Sequence, residues 1–283
     1  MDLFRPKGSL AVAGDPVVLT AEEAGWTYSG LQVARLGPGE TRLVDLDARE
    51  GAVVPLSGSA VIETGDGQTF ELAGRESVFA SITDLCYLPR ETSFSITSPG
   101  GGEFALATAV AKERTGAFYR AASEVEVQAR GAGPATRQIN QLLGADTAGP
   151  DNLIVVEVLT PEANWSSYPP HKHDEASDEE VPLEEIYYFR IKGEGGFGLH
   201  RTYTADCEID ATVAVGDGDV FLVPRGFHGP CVAAPGYDMY YLNVMAGPGH
   251  ERAWRICTDP AHVWLWEAWA GVAPDPRVPM TRA

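Results

Sequence analysis

Hydrophobic and polar positions along this chain alternate in short runs, each closed by Gly, Pro or Asp. QVARL, LVDLD, AVVPL, AVIET, QTFELA, SVFASI and FSITS fall in the first half, and IVVEVL, EEIYYFRI, GFGLH, DVFLVP and MYYLNVM in the second. A period of two puts one face of a strand on a core and the other toward solvent, so regular short runs with turn residues between them predict an all-β sandwich or small barrel. Two stretches depart from this pattern. LTAEEAGW has helical spacing, and DPAHVWLWEAW opens on Asp259 and Pro260, an N-cap and N1 pair for a short helix. Trp264, Trp266 and Trp269 in the second stretch are expected to serve packing or a subunit contact rather than chemistry.

The pattern also repeats. A shift of 135 residues lays Gly58 on Gly193, Pro89 on Pro224, Arg90 on Arg225, Glu50 on Glu185 and Ser93 on His228. YLPRETS then aligns with LVPRGFH, and VVPLSG with YYFRIKG. Matching strand and turn contexts predict duplicated barrels, over residues 1–140 and 141–283. The boundary is expected near residues 125 to 150, where RGAGPATRQ and ADTAGPDN read as the linker.

Composition narrows the partners. The chain has 283 residues, 44% hydrophobic and 22% charged, an ordinary globular balance with enough length for two cores. No run approaches the roughly 18 to 20 apolar residues of a membrane helix, and MDLFRPKGSL lacks a signal pattern, so a cytoplasmic protein is expected. Cys86, Cys207, Cys231 and Cys257 form no C-x-x-C pair and are expected as reduced thiols. The net charge of -19 repels phosphate backbones and anionic lipid, which argues against nucleic-acid and membrane partners. An acidic substrate would need local cations to overcome that field.

All six histidines, His171, His173, His200, His228, His250 and His262, lie beyond residue 170. Any imidazole metal site therefore belongs to the second barrel. In Pro169-Pro170-His171-Lys172-His173 two imidazoles stand two residues apart, on one face of an extended strand. The run LEEIYYFRIKG brings a carboxylate, and GDVFLVPRGFH turns at Pro224-Arg225-Gly226 to present His228. Three neutral imidazoles and a carboxylate, with coordination positions left open, suit one catalytic divalent ion: zinc first, with manganese, iron or nickel as alternatives.

These strings resemble the cupin superfamily, whose two motifs are H-x-H followed by Glu and a later G-x5-P-x-G leading to His. The resemblance implies a duplicated cupin, or bicupin: two small β-barrels with a few short helices, the first without metal ligands. Eleven residues separate His173 from Glu185, more than the motif's usual gap, so Glu175, Asp178, Glu179 and Glu184 are alternative ligands. Glu185 is preferred because it begins the β run, its strand reaches Gly193, and the repeat register selects it. The rest of the acidic run reads as a solvated loop at the mouth of the site.

Beyond the motifs, MDLFRPKGSL, PPHKHDE, LEEIYYFRI, GFGLHRTYT, GDVFLVPRGFHGP, YYLNVMAGP, ERAWRICTDPAH and DPRVP resemble the 5-deoxy-glucuronate isomerases of bacterial inositol breakdown. A more distant similarity is to the 5-keto-4-deoxyuronate isomerases, whose metal site falls on His171, His173, Glu185 and His228. The resemblance implies an aldose-to-ketose conversion of a small sugar acid, 5-deoxy-D-glucuronate, to 5-dehydro-2-deoxy-D-gluconate. A metal ion at C1 and C2 would stabilise a cis-enediolate while a base moves the proton.

Candidates for that base are His200, Tyr203 and Tyr241, and Asn243 is a candidate for substrate binding. Lys172, Arg190, Arg201 and Arg225 are the cations near the motifs. Strand alternation turns Arg190 away from Glu185, which leaves Arg201 and Arg225 ahead of Lys172 for the substrate carboxylate. A metal cupin dioxygenase or oxidase could use the same ligands. A sugar-binding cupin from a regulator would normally bring a DNA-binding segment, and none is visible. Barrel edges predict a homo-oligomer.

Overall fold

The computed structural model describes residues 2–249 and 251–283. In the first half, strands Phe118–Arg120, Leu85–Leu88, Arg49–Thr64, Gly102–Val110, Ser29–Leu36 and Val17–Leu19 lie in that order in one antiparallel sheet. Arg49–Thr64 is 16 residues long and shifts register between Pro55 and Ser57. Its far end leaves the first set of partners and pairs with Thr69–Arg75 and Ser93–Ser98, which closes the sheet on itself with Glu40–Asp45 at the edge. Leu36, Val53, Ile62, Leu72, Leu88, Phe94, Ile96 and Phe104 fill the interior.

The second half packs two antiparallel sheets face to face. One runs Phe4–Arg5, Val220–Val223, Glu184–Ile191, Met239–Ala246, Ile154–Thr160, Arg137–Leu143 and Glu126–Arg130. The other runs Asp210–Val215, Gly198–Tyr203, Phe227–Ala233, His171–Lys172 and Cys257–Thr258, with Trp165–Ser166 also on Phe227–Ala233. The boundary expected at residue 140 thus falls inside a buried strand, Arg137–Leu143, and the extreme N-terminus pairs with the second half. SVFASI is no strand: it forms a turn in which Val78 and Ile82 are core residues. Both short helices appear. Thr20 and Glu23 make a capping box on Ala21–Ala24, and Asp259 accepts from the Ala261 N–H ahead of Trp264–Ala268. No described helix is long and apolar enough to cross a membrane.

A large core lies between the halves. Leu31, Val33, Ala52, Val54, Leu85 and Tyr87 meet Val155, Leu159, Ile186, Tyr188, Leu222, Tyr240 and Leu242. The central strands are therefore buried on both faces, which is why they read as near-continuous apolar runs. Polar groups cross this core in pairs. Arg75 donates twice to Glu157, at 2.8 and 3.1 Å, and both side chains are fully buried. Asn140 and the Tyr240 hydroxyl complete the carboxylate's shell.

Two glutamates clasp the halves reciprocally. Glu50 accepts from the backbone N–H groups of Asp151, Asn152 and Leu153, just before Ile154–Thr160. Glu184 accepts from those of Thr27, Tyr28 and Ser29, at the start of Ser29–Leu36. The register corrects the repeat alignment here. Leu88 pairs with Gly51, whereas Val223, its 135-residue counterpart, pairs with Glu185. Glu50 therefore matches Glu184, and Gly51 matches Glu185. Ser93 likewise does not occupy the place of His228: it is exposed on Asp45, and Phe94 turns inward instead.

Candidate metal centre

Three segments bring the histidines together. His171 stands directly opposite His228 in the antiparallel pairing, and Thr258 flanks His171 on the other side. His171 and His173 are buried and Lys172 between them is not, as a period of two requires. The ring of His228 lies 4.5 Å from that of His171 and 4.7 Å from that of His173, centroid to centroid. His173, Glu185 and His228 each bring one ligand atom within 4.8 Å of the others. From the facing sheet, Glu185 places Oε2 at 3.0 Å from His173 Nε2 and 3.1 Å from His228 Nε2.

The backbone sets the tautomers. Nδ1 of His171 donates to the Pro169 carbonyl at 3.2 Å, that of His173 to Leu183 at 3.1 Å, and that of His228 to Gly226 at 3.1 Å. A carbonyl only accepts, so in the neutral ring each Nδ1 carries the hydrogen and each Nε2 keeps a lone pair, which His173 and His228 turn toward Glu185. Among the described residues His228 Nε2 has no hydrogen-bonding partner, being out of line with Glu185 despite its proximity. Lone pairs gathered round a carboxylate oxygen repel unless a cation lies among them, and this donor set fits a divalent metal ion.

Electrostatics favour positive charge beside Glu185. Burial, then the neighbouring His228 and His173, hold His171 well below the usual imidazole range. Burial also opposes charge on His173 and Glu185, but their mutual hydrogen bond outweighs it. His173 is raised as a result, and Glu185 is held below the carboxylate range.

The alternative carboxylates lie elsewhere. Glu184 points to the first half, Asp178 and Glu179 are exposed, and Glu175 reaches Lys172 at 3.2 Å. Lys172 is held by Asp174 and Glu180 at 2.6 and 2.5 Å, and Asp174 in turn accepts from Gly226 N–H at 2.7 Å. This acidic loop therefore braces the turn that carries His228, and Lys172 is no free cation for a substrate. Arg201 is also displaced from that role, because in Gly198–Tyr203 it is His200 and Thr202 that face inward. Arg201 pairs with Asp210 at 3.2 Å and lies over the Tyr203 ring on the outside. Arg225 meets Asp206 and Glu208 at the surface, and Arg190 joins Glu103 to Asp217.

Among the residues considered for proton transfer, Tyr203 lies outside and donates to Asp259. His200 is inside but has both ring nitrogens engaged, Nδ1 with Cys231 Sγ at 2.9 Å and Nε2 with Thr202 Oγ1 at 3.0 Å. Burial, with the neighbouring His228, lowers it to about 3, so it stays neutral as a packing partner of Phe221 and Tyr187. Tyr241 faces inward and shares Ser167 Oγ with Tyr187, at 3.1 and 3.3 Å. Burial pushes both phenols up, which makes them donors. Asn243 lies opposite Tyr187 with a buried Nδ2 that has no partner among the described residues.

Three interior residues escape a reading of the sequence as site residues. Tyr187 has only its register with Glu185 to mark it. Ser167 adopts a left-handed backbone, φ 44°, that no motif announces. Arg137 falls in the supposed linker.

Comparison with known proteins accords with this geometry. A 5-deoxy-glucuronate isomerase of Geobacillus thermodenitrificans (strain NG80-2) is 42% identical over 257 residues, 90% of this chain and 92% of that protein. The crystal structure of an IolB-like protein from Salmonella typhimurium LT2 matches with a TM-score of 0.88 at 35% identity, covering 94% of this chain and 99% of that one. A variant oxalate decarboxylase of Bacillus subtilis shares the two-barrel cupin fold alone, with a TM-score of 0.64 at 13% identity over 91% of this chain and 79% of its own. The model of the KduI/IolB family matches residues 4–265, a span that takes in both barrels and every residue of the histidine cluster, and the chain belongs to that family.

Proposed function

We propose that this protein is a 5-deoxy-glucuronate isomerase that converts 5-deoxy-D-glucuronate to 5-dehydro-2-deoxy-D-gluconate in inositol catabolism and depends on one divalent metal ion. The isomerase reading rests on the family and on relatives of that name along nearly the whole chain. The metal reading rests on one observation: two buried imidazoles, His173 and His228, each fixed by a carbonyl at Nδ1, bring Nε2 to within 3.1 Å of Glu185, and the similarly fixed ring of His171 lies 4.5 Å from that of His228. His171, His173, Glu185 and His228 would hold the ion, with zinc the first candidate.

When bound, the ion supplies a Lewis acid that polarises the aldehyde and stabilises the negative charge of a cis-enediolate. The chain's own groups do the rest. Glu185 balances part of the ion's charge, and the apolar wall of Phe189, Phe221 and Met245 excludes water. Tyr187 and Tyr241, kept protonated by burial, present hydroxyl donors through Ser167. Asn243 Nδ2 offers a further donor to the sugar.

Metal analysis and turnover of purified protein test this reading together. One divalent ion per chain is expected, and a chelator should abolish conversion of 5-deoxy-D-glucuronate while the thermal unfolding transition persists, because both barrels have complete cores without the ion. Full activity in metal-free protein would refute the metal dependence. Oxygen uptake in place of ketose formation would refute the isomerase.

A further inference from the structure

A sugar acid brings a carboxylate into a chain of net charge -19, and the cations beside the motifs are already paired with acids. Arg137 is different. It opens the strand Arg137–Leu143 on the face that Ile139 continues into the barrel interior, and it is only 6% exposed. Its Nη1 donates to the Tyr168 carbonyl at 3.0 Å and, at the long distance of 3.4 Å, to that of Ala135. Among the described residues no carboxylate reaches it within 4.0 Å, and Nε and Nη2 have no acceptor.

The other deeply buried arginine shows what is missing. Arg75 has a bidentate carboxylate in Glu157, and the carbonyls of Pro55 and Ser81 take two further hydrogens. A buried charge without a counter-ion is costly, and a second cation makes it worse. Arg130 stands directly opposite Arg137 in the ladder, and among the described residues no carboxylate reaches it either: its Nε donates to Gln128 and its guanidinium lies over the Trp254 ring. Like charges across a strand pair are destabilising unless an anion is shared.

The position suits one. Ile139, on the same face as Arg137, pairs with Val158 and Val158 with Tyr241, and Tyr241, Tyr187 and Cys231 line the same interior as Glu185. The Tyr168 carbonyl that Arg137 holds lies three residues before His171. Burial lowers the guanidinium only to about 10, so it is cationic at neutral pH.

We infer that Arg137, backed by Arg130, is the specificity-determining cation that receives the substrate carboxylate through two hydrogen bonds while the sugar's aldehyde end meets the histidine cluster. This rests on the isomerase reading. The test compares metal-loaded wild type, Arg137→Gln and Arg137→Lys on 5-deoxy-D-glucuronate and on neutral 5-deoxy-D-glucose, which carries CH2OH in place of the carboxylate. Arg137→Gln should lose roughly 100-fold in kcat/KM for the acid, chiefly through KM, and about 3-fold or less for the neutral sugar. Arg137→Lys should recover part of the loss, because it keeps the charge without the fork. Metal content should be unchanged in both.

Equal losses on the two sugars would reduce Arg137 to a brace for Tyr168 and overturn the inference. Calorimetric titration with D-glucuronate and D-glucose reads the same contact without turnover. If wild type converts neither deoxy sugar, the isomerase reading fails, whereas tighter binding of glucuronate that is lost in Arg137→Gln and partly kept in Arg137→Lys still upholds the cation. Wild type that binds the two titrants equally overturns it, even if Arg137→Gln does not fold.

Discussion

At His228 the ring is fully buried, Nδ1 is fixed by Gly226, and Nε2 has no hydrogen-bonding partner among the described residues. His228→Ala should therefore remove the bound ion and lower turnover by about three orders of magnitude or more, since the Lewis acid supplies much of the stabilisation. Ser93→Ala should retain the ion and cost at most about 1 kcal/mol, the worth of an exposed hydrogen bond to Asp45. Metal content per chain with turnover checks both, and an ion retained by His228→Ala would displace that residue from the centre. Such a residue is legible because metal chemistry restricts ligand types and a strand restricts their spacing. The cations near the motifs were not legible in the same way. Arg201 and Arg225 stand beside site residues in sequence, but strand alternation and a surface turn send them to Asp210 and Glu208. Arg137 stands far from every motif and reaches the interior only through the sheet.

The strand Glu184–Ile191 has no solvent face. Glu185, Tyr187 and Phe189 point into the second barrel, and Ile186 and Tyr188 into the core between the halves. Neighbouring substitutions should therefore fail in opposite ways. Tyr188→Ala should destabilise by about 3 to 5 kcal/mol, as a large buried ring removed from a packed core does, with metal content unchanged in the folded fraction. Tyr187→Phe, which loses only the hydroxyl shared with Ser167, should cost about 0.5 to 1.5 kcal/mol and show its effect in kcat. Urea unfolding and steady-state kinetics on both variants separate the two faces, and a larger stability loss in Tyr187→Phe would contradict the assignment.

Strands of this kind read well from sequence when apolar on both faces, as IVVEVL and MYYLNVM are. Arg137–Leu143 does not, because Gln138 and Asn140 are buried against Thr281 and Glu157 and look like loop residues until those partners are known. SVFASI errs in the other direction. Its alternating apolar residues reach the core from a turn.

Across the whole molecule the halves are joined by apolar surface and by polar groups that neither half can satisfy alone. Glu157→Ala would leave Arg75 charged and buried among carbonyls, and should cost about 3 to 5 kcal/mol in urea unfolding. Replacing both partners by apolar residues of similar volume should recover most of that loss, whereas a deficit below about 1 kcal/mol in the single variant would show the pair to be open to water. The glutamate clasp extends the same dependence. Glu50 does for the chain before Ile154 what Glu184 does for the chain before Ser29, each at the matching point of its own barrel. A contact in which each side gives what it receives is isologous, the form taken by two identical subunits about a two-fold axis. In geometric terms this single chain is a dimer whose subunits share one backbone, free to differ in sequence as true homodimers are not. Gly51 on one side and Glu185 on the other mark that freedom: both barrels share the grip, and only the second carries the histidine cluster.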